Sequence, residues 1–155
     1  MHTKIKFDEL DLKILGYLEE DGRMAFSHIA NELGVSNTMI HQRVSAMQQN
    51  GILEKIAPII NERKIGYEWS AFTGLTLKDD SQSKDIIAEL EKIPEVVECY
   101  YITGNYTLFL RVMAKSNEHM REVIYEKLDS IKGILKTESF IDFGCAFRRN
   151  IPLSN

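Results

Sequence analysis

The spacing of apolar residues changes near residue 52, which confines the chain to two differently built parts. Before that point Leu10, Ile14 and Leu18 recur every fourth residue, and Ile40, Val44 and Met47 follow at i, i+4 and i+7. Such spacing lines side chains along one side of a helix. Beyond it, "WSAFTGLTL", "EVVECYYIT" and "YTLFLRVMA" are short runs rich in β-branched and aromatic residues, which suit strands. A chain of 155 residues makes one ordinary domain or two small ones, and the change of period favours two.

The first helix is predicted to start at Asp8 as N-cap, with Glu9 and Asp11 in its first turn, and to stop at Asp21-Gly22. A short second helix is expected from Ser27 as N-cap, burying Ile29, Ala30 and Leu33 and ending at Gly34. Ser36 then caps a third helix that runs through Asn50 and closes at Gly51. Ala30 allows close helix approach, Gly34 makes the corner and Ile40 plugs the third helix into the core. Two helices on a tight glycine turn, packed on a first helix, form a helix-turn-helix.

Its last helix is depleted of carboxylates. Six acidic residues crowd positions 8–21, yet none occurs from Leu33 to Leu53. Net charge is −4, which argues against non-specific coating of nucleic acid, so the distribution matters more than the sum. A helix lying in the major groove sits between two rows of phosphates that repel carboxylates. Asn, Gln, Ser, Thr and Arg pair instead with base edges or phosphate oxygens. Ser36, Asn37, Thr38, His41, Gln42, Arg43 and Gln48 are therefore the expected contacts to double-stranded DNA, beside Ser45 and Gln49 on the same polar surface. The free N–H groups at the Ser36 cap suit a phosphate.

Residues 52–67, "ILEKIAPIINERKIGY", read as a linker in which Ile52, Leu53 and Ile56 start a short strand and Pro58 interrupts it. Its Arg63 and Lys64 either touch the DNA backbone or are solvated. From residue 68 the order is strand, helix ("SQSKDIIAELEKI"), a hairpin turning at "GNY", a helix from about Asn117 to Ile131, and a last strand in "ILKTESFIDFGCAF". This βαββαβ order is the ferredoxin-like unit. The fold class is thus α+β, with an N-terminal (winged) helix-turn-helix domain at 1–51, a linker at 52–67 and the βαββαβ domain at 68–155. In such a sheet the helices cover one face. Phe72, Tyr100, Ile102, Phe109 and Phe140 alternate with Ala71, Tyr101, Leu108 and Ile141, so both faces are apolar. The uncovered face calls for a second subunit.

Several function classes lack support. Cys99 and Cys145 form no C-x-x-C pair and are expected as small core residues in strands. His2, His28, His41 and His119 show no metal-ligand spacing, so neither a metal nor a cofactor is expected. No apolar run approaches the roughly 20 residues that span a membrane. The start, "MHTKIKFDELD", lacks a signal-peptide core, so a cytoplasmic location is expected. No Gly-rich phosphate loop or Ser/Cys nucleophile motif points to an enzyme.

The segments "LDLKILGYLEEDGR", "IANELGVSNTMIHQRVSAMQQNGIL" and "ITGNYTLFLRV" make essentially the whole chain resemble the Lrp/AsnC (feast/famine) family of transcriptional regulators. The resemblance implies DNA binding, an amino-acid effector held between dimers, and homodimers assembled into a higher oligomer, commonly an octamer. It places the effector at the hairpin loop, Thr103, Gly104, Asn105, Tyr106 and Thr107, with Thr137 and Ser139 of the last strand facing it. The family's loop is Gly-Asp/Asn-Tyr/Phe-Asp, and Thr107 stands where the acid is usual. An α-amino group prefers a carboxylate, so this departure bears on the ligand.

Two other readings exist. Sirohaem decarboxylases resemble this architecture and need basic and histidine side chains around a tetrapyrrole, for which the second domain offers only His119, with Arg111 and Arg121 elsewhere. The chain could also be an effector-binding co-regulator that does not read DNA itself.

Overall fold

The computed structural model describes residues 7–153. The described residues divide into two compact units, residues 7–60 with 149–153, and residues 61–148. His2 falls outside the described residues.

The first unit holds α1 (Glu9–Glu20), α2 (Phe26–Leu33) and α3 (Asn37–Gln49). Asp8 caps α1 through Oδ1, which accepts the N–H of Leu10 and of Asp11. Asp11 answers from the third helical position by accepting the Asp8 N–H, completing a capping box. Asp21 ends α1 as anticipated. At α2 the expectation fails: Ala25 is the N-cap, no side chain caps the helix, and Ser27 lies inside the first turn. Packing anchors this end instead, since the Phe26 ring meets His41 of α3 edge-on at 4.7 Å. Gly34 turns the corner at φ 66°, and the Ser36 hydroxyl accepts the Met39 N–H to start α3. Ile14, Leu18, Ile29, Ala30, Ile40, Val44 and Met47 form one buried core, with Leu10, Leu33 and Leu53 half-buried around it.

Among the described residues of 7–60 no strand forms, so the unit carries no wing and the strand expected at Ile52, Leu53 and Ile56 is absent. The donors were already spent. The N–H groups of Ile52 and Leu53 both turn back to the Met47 carbonyl, at 2.9 and 3.1 Å, closing the end of α3.

The second unit is built on a four-stranded antiparallel sheet, β1 (Trp69–Leu77), β2 (Val96–Tyr101), β3 (Leu108–Ala114) and β4 (Ile134–Asp142), in the spatial order β2-β3-β1-β4. Helix α4 (Ser83–Leu90) follows β1. Helix α5 (Asn117–Glu122) follows β3 and widens into a π-helical turn, Val123–Leu128. Ile86, Leu90, Met120, Val123 and Leu128 from these helices bury Ala71, Leu75, Leu108, Leu110 and Val112 of the sheet. This is the βαββαβ unit read from the strand and helix order.

Register settles the other face, because residues paired across an antiparallel ladder share a side. Phe72 pairs with Phe140 and Arg111, Gly74 with Phe109, and Phe109 with Tyr100. Phe72 and Phe109 stack at 5.9 Å, while Tyr100 and Phe140 stay about half exposed, at 53% and 49%. The opposite set also falls as expected, Ala71 pairing with Ile141 and Leu108 with Tyr101. Cysteines depart from expectation. Cys99 is in β2 but exposed on this edge strand, and Cys145 lies beyond β4, also exposed.

Candidate nucleic-acid interface and effector loop

The surface of α3 follows from its three buried positions. With Ile40, Val44 and Met47 turned inward, Asn37, Thr38, His41, Gln42, Ser45, Gln48 and Gln49 are all exposed, and Ser36 is exposed at the cap. The structure thus brings six of the seven candidate DNA residues onto one polar, carboxylate-free surface. Arg43 is the exception. Its Nη1 donates to Asp8 Oδ2 at 2.8 Å and to Asp11 Oδ2 at 3.0 Å, both at the start of α1. Asp11 is only 3% exposed. The Arg43 guanidinium holds the Asp8 carboxyl below its ordinary range, with the Asp11 and Leu10 N–H groups adding to the effect. The Asp8 carboxylate in turn keeps Arg43 firmly charged.

Asp8 and Asp11, expected only as helix-start residues, are the partners of Arg43. An acid at the cap and another three positions on mark a capping box, but nothing local points to a partner 32 residues away. The linker cations are also partly engaged. Arg63 donates from Nη2 to the Phe143 carbonyl at 2.9 Å within the second unit, so of its two readings the structure favours neither solvation nor DNA.

In the effector loop, Gly104 sits at φ 111°, a conformation that favours glycine. Thr107 ties the loop down twice: its N–H donates to the Leu75 carbonyl at 2.8 Å, and its hydroxyl donates to Asp80 Oδ1 at 2.7 Å. A carboxylate from the segment after β1 therefore lies where the loop's own acid is missing. Thr76 donates to the Asn105 carbonyl at 3.3 Å. Tyr106 folds back onto the open face of the sheet, over Gly74. A Cβ at Gly74 would lie 2.5 Å from the Tyr106 ring, so only glycine admits it. Burial raises the Tyr106 phenol, and its bond with Glu138 adds to the rise.

The candidate effector residues do not converge within one chain. Thr137 and Ser139 pair with Leu75 and Thr73 and so share their side of the sheet, opposite Tyr106. Thr137 donates to Asp129 Oδ1 at 2.7 Å, and Ser139 shares a 2.8 Å hydrogen bond with Thr73. A cleft of about 430 Å³ in this unit is lined by Gln82, Asp85, Ile86, Glu89 and Ser130 to Lys132, none of them candidates. Sequence reasoning missed Asp80, which only the fold brings to Thr107.

Of the residues weighed for a tetrapyrrole enzyme, His119 and Arg111 are engaged with neighbouring groups. His119 Nε2 bonds Glu95 at 2.9 Å while Nδ1 accepts the Lys115 N–H, and Arg111 is held by Glu62 and Glu98. Among the described residues no His, Cys, Asp and Glu group could hold a metal ion, and no helix is long and apolar enough to cross a membrane.

Both units resemble those of known proteins. The AsnC-type helix-turn-helix domain matches residues 7–48, and the Lrp/AsnC ligand binding domain matches residues 70–143. The regulatory protein AsnC of Haemophilus influenzae is 40% identical over 144 residues, 93% of this chain and 96% of that protein. AsnC of Escherichia coli K12 is 36% identical over 134 residues, 86% of this chain and 88% of that protein. The solved structure of E. coli AsnC superposes with a TM-score of 0.87 at 34% identity, covering 94% of this chain and 97% of the other. A transcriptional regulator of Neisseria meningitidis in complex with L-Met shares the fold, with a TM-score of 0.85 at 22% identity and coverage of 95% and 97%. The relatives are regulators, and both halves of this chain match known domains: the protein belongs to the Lrp/AsnC family of DNA-binding transcriptional regulators.

Proposed function

We propose that this regulator reads duplex DNA with the exposed surface of α3 and is gated by an amino acid bound at the 103–107 loop between subunits. The observation that carries the DNA reading is the surface itself: Asn37, Thr38, His41, Gln42 and Gln48 are exposed together with no carboxylate among them. The two nearest acids on α1, Asp8 and Asp11, are matched by Arg43. Homodimerisation is supported by the aromatic open face of the sheet, where Phe72, Tyr100 and Phe140 stay exposed among the described residues. A dimer supplies two recognition helices for a two-fold site, and dimers assembled further, as octamers or otherwise, bring effector residues from several chains together.

The split of the candidate pocket across two sides of the sheet supports a site completed only by assembly. Thr107 donates to Asp80, and the Asp80 carboxylate suits the ammonium group of an amino acid. The L-Met complex of the Neisseria regulator is in keeping with this ligand class. An effector acts by binding one arrangement of the subunits more tightly than another.

Two measurements test the reading. Selection from a random duplex library is expected to recover a two-fold site whose affinity falls steeply with salt. A thermal-shift panel of the twenty amino acids is expected to give one or two clear stabilisations that Asp80→Ala removes. Failure to recover any duplex leaves an effector-binding co-regulator; a flat panel leaves a DNA reader without an amino-acid switch.

A further inference from the structure

Arg43 belongs to the helix that carries the polar surface, yet its charge is used on α1. One nitrogen, Nη1, serves two carboxylates at 2.8 and 3.0 Å. Asp11 is nearly out of water, and a buried carboxylate needs both a counter-charge and filled hydrogen-bond sites. Asp11 Oδ2 has both, accepting the Asp8 N–H at 3.0 Å as well as Arg43. The start of α1 and the middle of α3 are thereby joined by charged hydrogen bonds. Besides the edge-on contact of His41 with Phe26, α3 is held by Ile40, Val44 and Met47, whose apolar contacts are non-directional. Charged hydrogen bonds are directional, and this set is attached next to Gln42 and His41 in sequence.

We propose that Arg43 is a positioning residue for DNA recognition, fixing the rotation and height of α3 against α1 through Asp8 and Asp11 without touching DNA itself. The proposal rests on α3 being the reading helix. Base edges are met by short side chains such as Asn37 and Gln42, so a small change in the pose of α3 removes base contacts while general phosphate attraction persists.

The two oxygens of Asp8 separate this role from helix capping. Oδ1 caps α1 and Oδ2 receives Arg43. Asp8→Asn keeps a capping oxygen, since asparagine caps as well as aspartate, but turns an amide NH2 toward the guanidinium. The test is equilibrium binding of the full chain to a selected duplex and to a random duplex of equal length, across a salt series. Asp8→Asn and Arg43→Ala are each expected to weaken binding to the selected duplex about tenfold. Random-duplex affinity and the salt slope should stay as in the parent, and the double variant should be no weaker than Arg43→Ala alone. A slope reduced by about one in Arg43→Ala, with Asp8→Asn binding both duplexes more tightly, would make Arg43 a phosphate contact and overturn the proposal. Unchanged binding in both variants overturns it too, because the apolar contacts would then suffice. Should Arg43→Ala lose its helical melting transition, Asp8→Asn decides alone. If selection recovers no duplex, the α3 reading fails first, and this proposal falls with it.

Discussion

The two units dispose of their apolar residues in different ways. The three helices of the first unit enclose a single interior, in which Ile14, Ile29 and Ile40 are fully buried, and what they turn outward on α3 is polar apart from Met39. The sheet of the second unit has two faces and helices enough for one. Leu75, Leu110 and Val112 are fully buried beneath α4 and α5, whereas Phe140 and Tyr100 on the reverse remain about half exposed. A small helical unit can thus finish its own core, while a four-stranded sheet with two helices cannot cover its second face alone. The proposed partner chain would thus meet the second unit, and the proposed nucleic-acid contact would be made by the first.

The largest effect that can break this comparison comes from the finished core. Ile14→Ala should cost about 2–5 kcal/mol, the range for deleting a buried branched side chain. Calorimetry should show the first unit melting earlier with the second unit's transition in place; a single shared transition would mean that the cores are not independent. Next in size is the unfinished face. Phe140→Lys is expected to leave the monomer folded, because Phe140 is 49% exposed there, and to weaken self-association by about 2–4 kcal/mol through an unpaired charge in a desolvated interface. Sedimentation of the variant at the same size as the parent would remove the aromatic face from the assembly.

A third change sharpens the polar side. Gln42 is exposed on α3 beside the tied Arg43, and Gln42→Ala should reduce discrimination between matched and mismatched duplexes by about 1–3 kcal/mol while sparing random-duplex binding. Equal losses on both duplexes would move Gln42 from base edge to phosphate. Ser36→Ala should cost about 1 kcal/mol of stability from the lost cap on Met39, read as a lower melting point of the first unit.

What the sequence made legible follows the range of the interactions involved. Helix starts at Asp8 and Ser36, the corner at Gly34 and the sidedness of β1 and β3 depend on neighbours within a few residues, and each was read correctly. Ser27, though a good capping residue, does not cap α2, where the contact of Phe26 with His41 positions the helix end. The strand at Ile52 failed because Met47 took its donors. Arg43 to Asp8, Thr107 to Asp80 and Tyr106 on Gly74 join residues about 27 to 35 positions apart, and no local pattern names such partners. For the same reason the candidate DNA surface was readable apart from Arg43, since it is one helix face. The effector residues were identified only by family resemblance.

The smallest expected effect concerns how each unit secures its helices by charge. In the second unit Glu95, 9% exposed, accepts from His119 Nε2 and Lys127 Nζ, both at 2.9 Å, and so ties the residue before β2 to α5 and its π-helical turn. Burial pushes the Glu95 carboxyl up, but the bonds from Lys127 and His119 outweigh it and hold the group below its ordinary value of 4.5. A depressed carboxyl stabilises the fold fully above its unfolded value, and that contribution is lost as the pH falls through the lower folded value. Asp8 in the first unit follows the same sign from an ordinary value of 3.8. Both units should therefore loosen on acidification, the second starting below about pH 4.5 and the first at lower pH. Glu95→Gln should flatten the acid dependence of the second transition alone, with a change at neutral pH of about 1 kcal/mol or less, as befits a pair whose lysine is partly exposed. If the variant keeps the parent's acid dependence in calorimetry at stepped pH, the tie at Glu95 is not what acid releases, and the two units do not share this way of fastening helices.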